Sequence, residues 1–185
     1  MYHTRLVCET IFNPNPIVSP TTPEISQRAQ QLTTADPVRT AQNIFRWVAD
    51  NVKSSGYLKE PRGARYALST KQGDCTEFMY LFMAFCRAAG IPARGVGGYV
   101  TDKNVILKPG DYHNWAEFYV NGLWYLADPQ RQVFMQQQWQ YLVMQILGTS
   151  PDNPMGNYRR FRYAGEGLTV KMNSTRSAKE SLHVK

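Results

Sequence analysis

Residues 73–90 read GDCTEFMYLFMAFCRAAG, and this stretch decides the fold that the sequence predicts. The run after Cys75 is apolar around most of its circumference, which is typical of a helix buried in the centre of a domain. Asp74 suits the N-cap position, and Gly90 followed by Pro92 marks the end of the helix. The sequence therefore predicts a buried helix with Cys75 at its N-terminus.

The position of Cys75 favours a reactive thiol over a structural one. The unpaired N–H groups and the dipole at a helix N-terminus favour an anion such as a thiolate. Glu77, in the same first turn, also suits that dipole. A cysteine in an apolar run is more often a core residue, and we expect this of Cys86 and Cys8. At Cys75, the preceding Gly-Asp pair and the helix start outweigh that interpretation.

A β-hairpin follows further along the chain. Two runs typical of strands, residues 113–120 and 123–128, flank Asn121-Gly122. Asn-Gly between such runs is the strongest short hairpin signal and predicts a two-residue type I′ turn. In that register Val120 lies opposite Leu123, which fixes the pairing of every residue further from the turn.

This register brings a histidine close to an aspartate. It places Trp115 opposite Asp128, and His113 projects from the same sheet face as Trp115, one diagonal step from Asp128. Diagonal neighbours lie roughly 7–8 Å apart, which long or aromatic side chains can bridge. The hairpin therefore predicts a contact between His113 and Asp128. The other two histidines, His3 and His183, lie near the termini, so His113 is the best candidate for a base.

Cys75, His113 and Asp128 together would make a thiolate–imidazole–carboxylate relay, which attacks acyl carbons. The motifs around them resemble those of the transglutaminase-like core, a branch of the papain-like cysteine enzymes, and of its bacterial members in particular. The resemblance covers most of the chain, roughly from Ile25 to Asn173. It is carried by Ile44-Phe45-Arg46-Trp47-Val48, Gly73-Asp74-Cys75, Arg87-Ala88-Ala89-Gly90-Ile91-Pro92-Ala93-Arg94, His113-Asn114-Trp115-Ala116-Glu117 and Trp124 through Pro129.

The resemblance implies an α+β, papain-like fold, in which the buried helix carrying the cysteine packs on an antiparallel sheet. It makes Cys75 the nucleophile, His113 the general base and acid, and Asp128 the group that orients His113. It implies a thioester intermediate and favours hydrolysis of a peptide or carboxamide bond. Transfer of the acyl group to an amine, in crosslinking or amide synthesis, is the alternative. A non-catalytic binding module is a third class, but it would be expected to lose one of the three residues.

The oxyanion of such a reaction needs donors that are already in place, each worth about 10²–10³ in rate. The backbone N–H of Cys75 is one expected donor. The second stays open among Tyr57, Tyr66, Trp47 and Gln72, with a preference for Tyr57. A packed aromatic side chain is an equally good interpretation of Tyr57.

Two residues of the histidine motif have expected roles beside the triad. We expect Trp115 to shield the Cys–His pair from water at the edge of the substrate site. We expect Glu117 to be a structural hydrogen-bond acceptor. For both, a purely structural role is equally open.

Length and composition limit the class of protein. The chain has 185 residues, of which 43% are hydrophobic, so it fits one domain with a sizeable core and is not disordered overall. It has no apolar stretch of the roughly 18–20 residues that span a bilayer. Its first residues lack the apolar region of a signal peptide, so we expect a cytoplasmic protein or one whose signal was trimmed. The cysteine and histidine spacing predicts no metal site, and we expect no cofactor.

The net charge of +7 raises the question of nucleic-acid binding. The basic residues are scattered, apart from some enrichment at Arg159-Arg160-Phe161-Arg162 and in the C-terminal tail, and no nucleic-acid-binding motif accompanies them. A solvated basic surface is the better interpretation. The charge would also suit an anionic peptide or protein substrate, such as bacterial cell-wall peptide.

The sequence predicts three parts along the chain. Residues 1–22 form an N-terminal strand and a Pro-rich connector, residues 23–172 the catalytic domain, and residues 173–185 a polar tail. Predicted helices cover residues 23–32 and 38–52, besides that of Cys75. We expect residues 54–72 to be mostly loop, with a helical turn at 64–68. We expect residues 102–112 to form a loop that could flank the cleft as a lid. Residues 130–148 are ambiguous, and their Gln-rich part could carry a short helix. Predicted strands outside the hairpin cover residues 6–12, 93–101, 158–163 and 168–172.

Overall fold

A computed structural model describes residues 22–147 and 172–174. The helices of these residues are α1 (Pro23–Leu32), α2 (Pro37–Asn51), α3 (Gly63–Thr70) and α4 (Cys75–Ala88). The strands are β1 (Lys53–Ser54), β2 (Gln72–Gly73), β3 (Ala93–Val100), β4 (Val105–Leu107), β5 (Tyr112–Val120), β6 (Leu123–Asp128), β7 (Val133–Phe134), β8 (Tyr141–Leu147) and β9 (Met172–Ser174). Short 3₁₀ helices cover Pro109–Asp111 and Gln138–Gln140.

Five of the strands form an antiparallel sheet in the order β7-β6-β5-β3-β8. Helix α4 packs against β5 and β3, and α1, α2 and α3 surround α4 on its other sides. Thirteen of its fourteen residues are buried, because it is apolar on every side and has neighbours on every side. The predicted α+β fold, with a buried helix on an antiparallel sheet, is therefore confirmed.

The strand alternation gives the sheet two different faces, which we call the inner and the outer face. On β5, Ala116, Phe118 and Val120 point to the inner face and belong to the main core with α4. The outer face carries a smaller buried cluster, which consists of Val96, Trp115, Leu126 and Tyr141. By the same alternation, Asn114 belongs to the inner face and His113 to the outer one.

The helix starts and the hairpin follow the sequence signals. Helix α1 covers the predicted residues, and α2 begins at Pro37 with Asp36 as its N-cap. In the hairpin, Val120 pairs with Leu123, and the turn residues Asn121 and Gly122 have φ of +52° and +85°. Two positive φ angles are what a type I′ turn requires, so the predicted turn and register are confirmed.

The glycines of β3 allow another chain segment to approach closely. The pairing of β3 with β8 shifts between Gly97 and Gly98, which marks a β-bulge. A Cβ atom on Gly98 would collide with the carbonyl oxygen of Leu142 and crowd the ring of Trp115. Gly98 therefore lets the edge strand β8 come close to the outer-face cluster.

Three of the predicted segments contain more regular structure than expected. Residues 55–62 are a loop, but the helical turn expected at 64–68 is the eight-residue helix α3, and β1 and β2 reach the segment 54–72 at Ser54 and Gln72. The predicted loop 102–112 contains β4, which pairs with β9, and a 3₁₀ helix. In the segment 130–148, the expected short helix is the 3₁₀ helix Gln138–Gln140, and β7 and β8 flank it. Strands β1 and β4 are too short for a periodicity and their partners lie far away in sequence, so local patterns could not reveal them.

The predicted strands 6–12 and 158–163 lie outside the described residues, as does most of 168–172. Strand β9 begins at Met172 and crosses the predicted start of the polar tail at residue 173. The three predicted parts of the chain and the lid at 102–112 stay predictions. None of the described helices is long and apolar enough to cross a membrane.

Candidate active site

Cys75 is the first residue of α4, and a capping box holds the helix start in place. The Asp74 carboxylate (Oδ1) accepts from the backbone N–H of Thr76 at 2.8 Å, and Glu77 Oε2 accepts from the N–H of Asp74 at 3.1 Å. Cys75 itself is 8% exposed, so its thiol lies just beneath the surface. The N-terminal end of α4 favours negative charge at this position, as the sequence predicts.

The same two carboxylates tie the preceding segment to the start of α4. Asp74 Oδ2 accepts from the N–H of Leu58 at 2.9 Å. Glu77 Oε1 accepts from the N–H groups of Arg62 at 2.7 Å and Gly63 at 3.3 Å. Burial raises the pKa of Glu77, while the backbone N–H bonds oppose that rise. Residues 58–63 are thereby held beside the start of α4. The sequence alone did not indicate this contact.

His113 and Asp128 meet on the outer face, as the hairpin register predicts. The pairing of β5 with β6 runs from the turn to Ala116 opposite Ala127, which leaves His113 and Asp128 beyond it on the same face. His113 Nε2 lies 2.6 Å from Asp128 Oδ2. The Asp128 side chain is 1% exposed and that of His113 13%, so the contact is shielded but reaches the surface at the imidazole.

Asp128 has further partners that the sequence did not reveal. Tyr141, at the start of β8, donates its hydroxyl to Oδ2 at 2.9 Å, and the backbone N–H of Arg131 donates to Oδ1 at 3.2 Å. Burial, and then the charge and the hydrogen bond of Asp128, raise the pKa of Tyr141. Tyr141 therefore stays a protonated donor. Its segment was ambiguous from sequence, so no pattern linked it to the aspartate.

The electrostatics of His113 favour the imidazolium. Burial alone would lower the pKa of His113, but its hydrogen bonds to Asp128 and to Cys75, together with their charges, raise that pKa to about 9. Because Nε2 faces Asp128, Nδ1 is the ring nitrogen left for the Cys75 thiol. A thiolate–imidazolium–carboxylate relay would require this order of Cys75, His113 and Asp128.

Asn114, next to His113 on β5, also contacts the cysteine. Its side-chain Nδ2 lies 3.6 Å from Cys75 Sγ and 3.2 Å from Thr76 Oγ1. The residue is 1% exposed. The sequence assigned no role to Asn114 within the histidine motif. Strand alternation could predict that Asn114 lies on the inner face, but it could not predict which atoms the amide contacts.

Trp115 lies against His113 on the outer face. Its ring is stacked on that of His113, with 6.3 Å between centroids, and meets the edge of the Tyr141 ring at 5.0 Å. It is 1% exposed. This position suits the shielding role that the sequence predicts, whereas a part in substrate binding stays a prediction.

The predicted oxyanion donors lie on different elements. Tyr57 is 63% exposed, one residue before Leu58, whose N–H is bound to Asp74. Tyr66 is on α3, Gln72 is exposed on β2, and the ring of Trp47 meets that of Phe85 edge-on at 5.3 Å. The second oxyanion donor, with Tyr57 preferred, stays a prediction.

The two remaining expectations concern residues away from the thiol. Glu117 accepts from Arg94 Nε at 2.7 Å across β3 and β5, so its predicted role as an acceptor is confirmed. Cys86 is fully buried in the core, as expected, and burial raises the pKa of its thiol. Within residues 22–147 and 172–174, no cluster of three or more His, Cys, Asp or Glu side chains could hold a metal ion.

Comparisons with known proteins agree with this fold. The family model of the transglutaminase-like superfamily matches residues 26–129, and the chain belongs to that superfamily. Among solved structures, it is similar to a candidate cysteine protease from Cytophaga hutchinsonii, with a TM-score of 0.62 and 24% identity over 76% of this chain and 46% of the other. It is also similar to the periplasmic domain of TgpA from Pseudomonas aeruginosa, with a TM-score of 0.51 and 22% identity over 75% of this chain and 53% of the other.

The chain thus spans about half the length of the solved structures it matches. At these identities the likeness concerns the fold. A comparison with curated proteins finds no match.

Proposed function

We propose that this protein is a cysteine-dependent acyl-transfer enzyme that hydrolyses a peptide or carboxamide bond through a thioester. One observation carries the proposal. His113 Nε2 lies 2.6 Å from Asp128 Oδ2, and the thiol of Cys75, at the start of α4, contributes with Asp128 to the raised pKa of the same imidazole. Membership of the transglutaminase-like superfamily supports the same chemistry.

The acylation step follows from this arrangement. His113 takes the proton of the Cys75 thiol, and the thiolate forms a C–S bond to the substrate carbonyl carbon while the carbonyl electrons move to oxygen. When the oxyanion collapses, the C–N bond breaks and the imidazolium gives its proton to the departing amine. Asp128 stays ionised throughout and holds the ring so that Nδ1 faces the sulfur.

Deacylation needs a neutral imidazole. In the thioester the sulfur no longer carries negative charge, so one of the interactions that raise the pKa of His113 is lost. His113 can then take a proton from water, which attacks the thioester and returns a carboxylic acid and the thiol. We propose water as the acceptor because Cys75 is 8% exposed and the His113 side chain 13%, so both lie close enough to the surface for water to reach them. An amine in the place of water would give the alternative, transfer to an amine.

The proposed substrate is a peptide or protein, because such a molecule supplies the carboxamide or peptide bond that the proposed reaction requires. This bond would have to reach a thiol just beneath the surface. The net charge of +7 supports a preference for anionic substrates, of which cell-wall peptide is one class.

Selective alkylation of Cys75 tests the proposal without a known substrate. The protein is treated briefly with iodoacetamide at mildly acidic pH, and each cysteine is quantified by peptide mass spectrometry, with N-acetylcysteine as the free-thiol reference. We expect Cys75 to react faster than the reference, and His113→Ala to remove that advantage. Labelling of Cys75 no faster than the reference would overturn the proposal.

Product analysis then decides between the two reactions. Peptide substrates are incubated with the wild type and with Cys75→Ala, in the presence and absence of a primary amine. Cys75→Ala should abolish turnover while the melting temperature changes little. A product that carries the amine would mean that the protein transfers the acyl group to an amine, and the proposed hydrolysis would be wrong.

A further inference from the structure

We propose that Asn114 is a positioning residue for the nucleophile: its buried amide donates one N–H to Cys75 Sγ and thereby stabilises the thiolate and directs it toward His113. This inference rests on the proposed role of Cys75. Asn114 and His113 are consecutive on β5, so they point to opposite faces of the sheet. The Asn114 amide contacts Cys75 Sγ at 3.6 Å, and the same thiol contributes to the raised pKa of His113, so Cys75 interacts with neighbouring residues from both faces.

The hydrogen bonds of Asn114 define its orientation. Nδ2 has two N–H groups, and both have acceptors, Cys75 Sγ at 3.6 Å and Thr76 Oγ1 at 3.2 Å. The amide oxygen Oδ1 is buried and has no hydrogen-bond partner among the described residues. A buried amide whose oxygen lacks a partner costs free energy. The two hydrogen bonds that Nδ2 donates therefore have to outweigh this cost.

The Cys75 sulfur is a strong hydrogen-bond acceptor for this N–H only when it is a thiolate. A thiol is a weak acceptor, whereas hydrogen bonds to an ionised acceptor are about twice as strong as neutral ones. The Asn114 amide therefore distinguishes the thiolate from the thiol. The second bond, to Thr76, attaches the amide to the same helical turn as Cys75, so that donor and sulfur keep their relative positions.

Other titratable groups around Cys75 must be kept constant. They are His113 on β5, Asp128 on β6, Tyr141 on β8, which contacts Asp128, and Asp74 and Glu77 at the start of α4. Asn114→Ala changes none of these groups and adds no charge. A difference between Asn114→Ala and the wild type can therefore be assigned to the amide.

The test compares Asn114→Asp and Asn114→Ala with the wild type. Ala removes the amide and adds no charge, whereas Asp keeps the shape of Asn, loses the donor and places a carboxylate beside the thiol. The matched control is Asn121→Asp, which makes the same change at the exposed hairpin turn, where φ is +52°. The readouts are the alkylation rate of Cys75 across pH and the ultraviolet absorbance of the thiolate, both corrected for the folded fraction.

We expect Asn114→Ala to lower the alkylation rate at mildly acidic pH about tenfold, which corresponds to one hydrogen bond to a charged group. Asn114→Asp should lower the rate at least as far, because its carboxylate also disfavours the thiolate. The pH at half-maximal rate should rise, and the thiolate absorbance at neutral pH should fall. Asn121→Asp should match the wild type in both readouts. If Asn114→Asp does not fold, Asn114→Ser, which keeps a hydroxyl donor, should lose less than Asn114→Ala.

The two proposals fail in different ways. A wild-type Cys75 that reacts no faster than N-acetylcysteine would overturn the proposed function. A fast wild type together with folded Asn114 variants of equal rate and equal thiolate absorbance would overturn the role of Asn114 alone. A purely structural Asn114 would lower the melting temperature and leave the thiolate absorbance of the folded molecules unchanged.

Discussion

The two faces of the central sheet differ in what holds them together. The inner face packs apolar side chains on α4, and Phe118 on β5 is typical of it. The outer face has only a small cluster around Trp115, and beside it His113, Asp128 and Tyr141 form a hydrogen-bonded chain. One strand, β5, contributes to both faces through simple alternation. We therefore expect substitutions of the apolar inner-face residues to act mainly on stability, and substitutions in the hydrogen-bonded chain of the outer face to act mainly on the chemistry.

The largest expected effect is that of Asp128→Asn on the outer face. The amide keeps the shape but loses the charge that holds the imidazolium, and in the analogous serine triad this change costs roughly 10⁴ in rate. We expect the turnover of a peptide substrate to fall by about 10³–10⁴, and the free energy of unfolding to fall by up to roughly 3 kcal/mol, because the raised pKa of His113 depends on this partner. Steady-state rates and chemical denaturation measure the two quantities. A variant with near wild-type turnover would exclude Asp128 from the relay.

Phe118→Ala is the matching change on the inner face. Phe118 is fully buried and stacks on Phe134, with 5.4 Å between ring centroids. Removal of a buried phenylalanine costs about 3–5 kcal/mol. We expect that loss in urea denaturation, while the alkylation rate of Cys75 in the folded fraction stays within about twofold of the wild type. If reactivity fell as far as in Asp128→Asn, the two faces would not be separable.

The charge state of His113 adds a pH-dependent part to the stability of the outer face. The pKa of His113 is raised from the ordinary 6.5 to about 9 in the folded protein. The imidazolium therefore stabilises the fold fully below pH 6.5, and this contribution is lost as the pH rises toward about 9. Such a change in pKa corresponds to roughly 3 kcal/mol.

His113→Gln, which does not titrate, provides the reference. Between pH 6.5 and about 9, the difference in unfolding free energy between wild type and His113→Gln should shrink by roughly 3 kcal/mol. Denaturation curves at several pH values measure it. A difference that stays constant, or grows with pH, would show that His113 is not held as an imidazolium.

The sequence predicted the parts of the site that local signals control. The N-cap at Asp74 places Cys75 at the helix start, and the two-residue turn at Asn121-Gly122 fixes the register that joins His113 to Asp128. Both signals act within a few residues, so no knowledge of the remaining chain is needed. The antiparallel sheet on the buried helix follows from the same elements together with the family resemblance.

The sequence did not predict the groups that surround the triad. Tyr141 reaches Asp128 because β8 pairs with β3 through a register shift at Gly97 and Gly98, and such a pairing depends on the whole sheet. Asn114 was predictable as an inner-face residue, but which atoms its amide meets depends on how α4 crosses β5. Alternation and capping rules give the direction of a side chain and do not name its partners.

Tyr141→Phe should have the smallest of these effects, and it tests how far the outer-face chain extends. Its hydroxyl shares Asp128 Oδ2 with His113, so its loss removes one donor to the carboxylate while the ring still packs on Trp115. One hydrogen bond to a charged group corresponds to about tenfold in rate. We expect turnover to fall by about that factor with a nearly unchanged melting temperature. Equal turnover in Tyr141→Phe and wild type would mean that the contacts from His113 and the Arg131 backbone suffice to hold Asp128, and that β8 contributes only packing.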